Sequence, residues 1–142
     1  MTAKEYLSQA RRLDEAINCR LRELEYWRGL SCRLSGCGFD EHHNPNPPTE
    51  APFTMCLEKI DEIERDVNAK VDTLVDLRRA VNRVIDAMDN SDEQILLRCR
   101  YLDGFSWEDI CRIMNVSIRT VHRIHGAALD NFTIPDEKIL PP

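Results

Sequence analysis

The chain has no apolar run approaching the ~18 residues that span a bilayer, and its opening residues, Met1-Thr2-Ala3-Lys4-Glu5-Tyr6, have no apolar stretch of the kind a signal sequence needs. No membrane partner is expected, and a cytoplasmic protein is. Glycine and phenylalanine are scarce, five and four in 142 residues, against 42% hydrophobic and 31% charged residues. That mixture disfavours strand-rich sandwiches and points to charged-surface helices, hence an all-α chain. There is no glycine-rich phosphate loop, no nucleophile motif and no paired carboxylates on a defined scaffold, so neither an enzyme nor a cofactor is expected. Positive charge is in deficit, with 19 Lys and Arg against 25 Asp and Glu, and a net charge of -6 excludes a general nucleic-acid coat. Six cysteines are present, but cytosolic thiols stay reduced and buried ones act as small hydrophobes, so no disulfide is expected.

The charge is uneven. Residues 1–34 carry seven basic and five acidic groups, residues 35–90 six and twelve, and residues 91–142 six and eight. Within the last part, positions 111–129 hold Arg112, Arg119 and Arg123 and no acid. The basic surface is small and local, which suits one site.

Thr2-Ala3-Lys4-Glu5 fits a capping box, and the stripe that follows runs through Tyr6, Ala10, Leu13, Ile17, Leu21, Leu24, Trp27, Leu30 or Ser31, and Leu34, in steps of three or four. A helix over about 2–34 is expected. Gly36, Gly38, the run Asn44-Pro45-Asn46-Pro47-Pro48 and Pro52 then predict a loop over about 35–55. A second helix is expected over about 56–89. It has Ile60, Val67, Leu74, Val81 and Met88 at one heptad position and Ile63, Leu77 and Val84 at the other, interrupted only by Lys70. Two long helices with one apolar stripe each bury those stripes against one another, giving a coiled-coil-like hairpin over 1–89. The antiparallel arrangement is the commoner; a loop of this length also permits the parallel one. Lys70 alone breaks the apolar seam from Ile60 to Met88, and a hairpin seldom covers such a seam fully, so a homodimer is expected.

Asn90 followed by Ser91-Asp92-Glu93-Gln94 starts a third helix, with Ile95, Leu96, Cys99 and Leu102 inward, ended by Asp103-Gly104. Ser106 caps a fourth, with Trp107, Ile110, Cys111 and Met114 inward. Asn115-Val116-Ser117 is a three-residue connection suited to a helix-turn-helix, and Ser117 caps the last helix. On that helix Ile118, Val121, Ile124 and Ala128 gather on one side, and Arg119, His122, Arg123 and Gly126 on the other. The module is expected over 90–131, followed by a flexible tail over 132–142.

Arg100-Tyr101-Leu102-Asp103-Gly104-Phe105-Ser106-Trp107-Glu108-Asp109-Ile110, followed by Met114-Asn115-Val116-Ser117-Ile118-Arg119-Thr120-Val121, resembles region 4 of sigma factors, with Cys111 where alanine is usual. The whole chain, including Leu74-Val75-Asp76-Leu77-Arg78 and Arg123-Ile124-His125-Gly126-Ala127-Ala128-Leu129, resembles a family of small sigma-like proteins encoded by phages and prophages of Gram-positive bacteria. The resemblance implies a sequence-specific transcription regulator that reads double-stranded DNA with helix 117–131. Arg119 and Arg123 would meet guanine edges or phosphates, Ser117 and Thr120 the backbone, and His122 a phosphate.

On an arbitrary helix the two arginines would be solvated surface charge; their position after Ser117 gives them a role. Cys32, Cys37, His42, His43 and Cys56 lack the usual zinc spacing, so no metal is expected. The acidic second helix, with Asp61, Glu62, Glu64, Asp66, Asp72 and Asp76, reads as a solvated face, or more sharply as a docking surface for a basic protein. Two rival readings stand beside DNA recognition: a sigma-like subunit acting through RNA polymerase, and a coiled-coil interaction protein whose helix-turn-helix only packs.

Overall fold

The computed structural model describes residues 1–36 and 50–136. In chain order they form α1 (Ala3–Gly36), α2 (Glu50–Asp86), α3 (Ser91–Leu97) continuing into a π-helical turn (Arg98–Leu102), α4 (Trp107–Met114) and α5 (Ile118–Asn131). No strand occurs among the described residues, in agreement with the all-α expectation.

Local chemistry accounts for most helix ends. The capping box forms at the start of α1: Glu5 N–H donates to Thr2 Oγ1 at 3.2 Å and Thr2 N–H to Glu5 Oε2 at 2.7 Å. These bonds also hold the Glu5 carboxyl below its usual range. α2 begins at Glu50, several residues before the expected 56. Pro52 lies in its first turn, where a backbone N–H has no intrahelical acceptor, so the missing donor costs nothing there. Residues 37–49, including Cys37, His42 and His43, lie outside the described residues.

The chain divides into two compact units, one of Met1–Asp14 with Asp72–Pro142 and the other of Glu15–Val71. The division falls inside the two long helices and not at the expected boundary of 89/90. The reason is a shared core: Leu7 and Ala10 of α1, Leu77, Val81 and Ile85 of α2, Leu96 and Leu97 of α3, Ile110 of α4, and Val121 and Ala128 of α5 are all buried together. Burying a Leu, Ile or Val side chain contributes roughly 1.5–3 kcal/mol, so α3, α4 and α5 are stabilised by the ends of the long helices they pack on.

Polar contacts fix this first unit further. Arg78 Nη1 donates to the Leu102 carbonyl at 2.9 Å, satisfying an acceptor at the end of the π-helical turn. The buried Glu93 carboxylate accepts from Asn131 Nδ2 at 3.0 and 3.2 Å, tying the start of α3 to the end of α5. Gln94 Nε2 donates to the Met88 carbonyl at 2.6 Å, and Arg98 pairs with Asp86. The chain after α5 is not loose at its start, as the expected flexible tail would have it: Phe132 is buried 6.2 Å from the Tyr6 ring, and Ile134 packs on the same core. Residues 137–142 lie outside the described residues.

In the second unit Ile17 and Leu24 of α1 and Cys56, Ile63 and Val67 of α2 are buried. Leu21, expected in the stripe, is exposed. Arg20 Nε donates to Asp66 at 2.9 Å, and Lys70 Nζ donates to the same carboxylate at 2.7 Å. The lysine that interrupts the heptads thus has an ionic partner, and the two cations hold the Asp66 carboxyl below its usual range, Lys70 most strongly. Arg28 also reaches Glu64, at 2.6 Å.

Candidate nucleic-acid interface

Each connection from α2 to α5 is built from the residue type its backbone requires. Asn90 Oδ1 accepts from the Asp92 N–H at 2.9 Å and the Glu93 N–H at 3.5 Å, starting α3. Gly104 adopts φ +75, which side-chain-bearing residues seldom reach, so the chain leaves the π-helical turn there. Ser106 Oγ accepts from the Asp109 N–H at 3.2 Å, starting α4. Asn115 ends α4 at φ 54, the left-handed conformation that asparagine tolerates best after glycine. Ser117 Oγ then accepts from the Thr120 N–H at 3.3 Å and opens α5.

The inner face of α5 is Val121, His125 and Ala128, all buried, with Ile124 and Leu129 partly so. This corrects the expected inner set: Ile118, assigned inward, is 47% exposed. His125 takes the place Ile118 was expected to fill. At 100° per residue it lies between Ile118 and Val121, so the periodicity held the signal and the polarity of histidine concealed it. Ile95 of α3, also expected inward, is exposed, and Leu97 is buried in its stead.

His125 is 8% exposed and sits against two aromatic rings. Its Nε2 and the Tyr101 hydroxyl share a hydrogen bond of 2.7 Å whose direction depends on the tautomer. The Trp107 ring lies edge-on at 4.8 Å. Burial, aided by the charges of Lys4, His122 and Arg100, pushes the His125 pKa down to about 4, so it is neutral at pH 7. Burial likewise raises the Tyr101 phenol. Trp107 carries the Arg100 guanidinium over its face at 4.3 Å and the His122 ring at 4.9 Å. Arg100 Nη1 also donates to the Phe105 carbonyl at 3.1 Å.

The outer face brings the expected residues together in part. Arg119, His122 and Arg123 are exposed on one arc of α5, the two arginines about 40° apart. Neither arginine has an ion pair or hydrogen bond among the described residues, so both guanidiniums can take an external acceptor. His122 is exposed but rests on Trp107, which fixes its direction. Ser117 and Thr120 stand at the start of the helix with their hydroxyls 3.0 Å apart, already engaged in the cap; Thr120 is half-buried on the flank. Two features escaped the sequence reading. One is the Arg100-Trp107-His122 stack, whose members lie on three different elements, and the other is the exposed apolar pair Ile113 and Ile118 on either side of the turn.

The other candidates bring less together. The acidic face of α2 is largely occupied by its own cations: Arg65 pairs with Asp61, Lys59 with Glu62, Arg28 with Glu64, and Arg20 and Lys70 with Asp66. Asp72 and Asp76 remain exposed. Cys32 is exposed and Cys56 buried, and no grouping fit for a metal occurs among the described residues. No curated protein and no solved structure matches the chain. Residues 53–132, more than half of the chain and everything from the first turn of α2 to the end of α5, match the family described as Protein of unknown function (DUF1492), to which this protein therefore belongs.

Proposed function

We propose that the protein is a sequence-specific DNA-binding transcription regulator of the phage or prophage, sigma-like type, with α5 entering the major groove. The observation that carries this reading is the outer face of α5. Two exposed arginines without partners among the described residues stand on a capped helix whose opposite face is held by Val121, His125 and Ala128. A planar guanidinium bonds the O6 and N7 of guanine in a bidentate fashion, or a phosphate, and a helix of this width fits the major groove. Arg119, nearer the start of the helix, is assigned to a base and Arg123 to a phosphate. Ile118 beside them supplies an apolar surface for a thymine methyl group. Ser117, Thr120 and His122 are assigned to the flanking backbone.

In this reading α1 and α2 form an antiparallel hairpin that supports the helix-turn-helix. Its support is that, within the second unit, partners rise along α1 as they fall along α2: Arg20 pairs with Asp66, and Arg28 with Glu64. One such module offers few base contacts, so a second copy on a second half-site is part of the proposal. The test is selection from a random pool of duplexes with the full-length protein. Enrichment of a defined sequence is expected. Failure to enrich any duplex, together with tight association with purified RNA polymerase, would replace this reading with that of a polymerase-bound sigma-like subunit.

A further inference from the structure

The three side chains on the outer arc of α5 differ in how far the chain itself fixes them. Arg119 and Arg123 are exposed and have no partner among the described residues, so each keeps the rotamer freedom of a long side chain. His122 is exposed as well, and its ring nitrogens have no hydrogen-bond or ionic partner among the described residues. Its ring, however, rests 4.9 Å from the Trp107 ring, inclined at 54°.

Trp107 is itself held. It is the first residue of α4, set by the Ser106 cap, and it is half-buried. The ring of the buried His125 meets it edge-on at 4.8 Å, and the Arg100 guanidinium lies over it at 4.3 Å. Arg100 is in turn fixed by the bond from its Nη1 to the Phe105 carbonyl at 3.1 Å. These contacts come from the π-helical turn, α4 and α5, which belong to one compact unit. An indole gripped on several sides is a rigid support, so the imidazole resting on it is ordered before any partner arrives. Ordering a free side chain on binding weakens affinity by about two- to tenfold. A ring already in place escapes that cost.

We propose that Trp107 is a positioning residue for DNA: it holds the His122 imidazole ready for a phosphate beside the groove that α5 enters, with Arg100 bracing the indole. This rests on the reading of α5 given above. An imidazole N–H donates to a phosphate oxygen whether the ring is neutral or charged, and a phosphate contact fixes the protein's position on the duplex without reading sequence. The start of α4 thereby governs how well α5 binds.

The test is a double-mutant cycle in the full-length protein, with affinity for a labelled duplex enriched in the selection read by fluorescence anisotropy. Trp107→Leu is expected to weaken binding by about two- to tenfold, His122→Ala by at least as much, and the double variant by no more than His122→Ala alone, with base preference unchanged throughout. Trp107→Phe keeps an aromatic face under the imidazole and should keep wild-type affinity. His122→Gln keeps an N–H donor but has no ring to rest on the indole, and should lose about two- to tenfold. An equal loss from Trp107→Leu with and without His122 would mean that Trp107 acts only through the fold, and would overturn the inference. So would wild-type affinity in His122→Gln, a change confined to an exposed side chain that decides the matter even if Trp107→Leu does not fold. In either case a loss of affinity in Arg119→Ala leaves the reading of α5 standing. If the wild-type protein prefers no duplex at all, both fall.

Discussion

Replacing His125 with phenylalanine should change not only how stable the protein is but how its stability depends on pH. In the folded chain His125 stays neutral down to a pKa of about 4, against an ordinary value of 6.5 once unfolded. Between those values the unfolded state binds a proton that the folded state does not, so stability rises with pH through the window and is lost as the solution is acidified from 6.5 towards 4. At about 1.4 kcal/mol per pH unit the loss reaches at most about 3 kcal/mol. His125→Phe removes this dependence. It also leaves the Tyr101 hydroxyl without its 2.7 Å partner, a cost of about 1–3 kcal/mol at every pH. The variant should therefore be the less stable protein at pH 7.5, and the gap should close by up to about 3 kcal/mol as the pH approaches 4. Urea unfolding followed by circular dichroism at several pH values measures this, and carboxylate titrations common to both proteins cancel in the difference. A gap that stays constant across the window would refute the reasoning, because it would mean that His125 titrates alike in both states.

Ser117→Asp should separate folding from binding: aspartate caps a helix as well as serine, so unfolding stability should stay within about 0.5 kcal/mol of wild type, whereas a carboxylate at the entry to the groove should sharply reduce duplex affinity, and anisotropy titration beside thermal melting reads both. Arg78→Ala removes the 2.9 Å bond to the Leu102 carbonyl and should cost about 1–3 kcal/mol in urea unfolding, since a half-buried acceptor loses a charged donor.

Much of this fold was legible in the sequence because its turns are specified by local chemistry. Asn90, Gly104, Ser106 and Ser117 each occupy the position their side chain or backbone freedom predicts. What could not be read depends on tertiary packing. A stripe in α1 that includes Leu21 is regular in sequence, but Arg20 makes the ionic contact with Asp66 while Leu21 is left in solvent. A heptad seam likewise reads the same whether it meets one helix or several, and the core that Val81 and Ile85 share with α1, α3, α4 and α5 shows several. In the candidate interface the arc of Arg119, His122 and Arg123 followed from the helical repeat. The exchange of Ile118 for His125 did not, because a histidine becomes a core residue only when a partner such as Tyr101, far away in sequence, satisfies its nitrogen.

Whether α5 enters the major groove is tested most directly by measuring the affinity of Arg119→Ala for the selected duplex and for its single-base variants. A bidentate contact with guanine predicts a loss of about 1–3 kcal/mol together with relaxed preference at one base position and wild-type discrimination at the others. Wild-type affinity and an unaltered preference at every position, in a variant that folds normally, would contradict it.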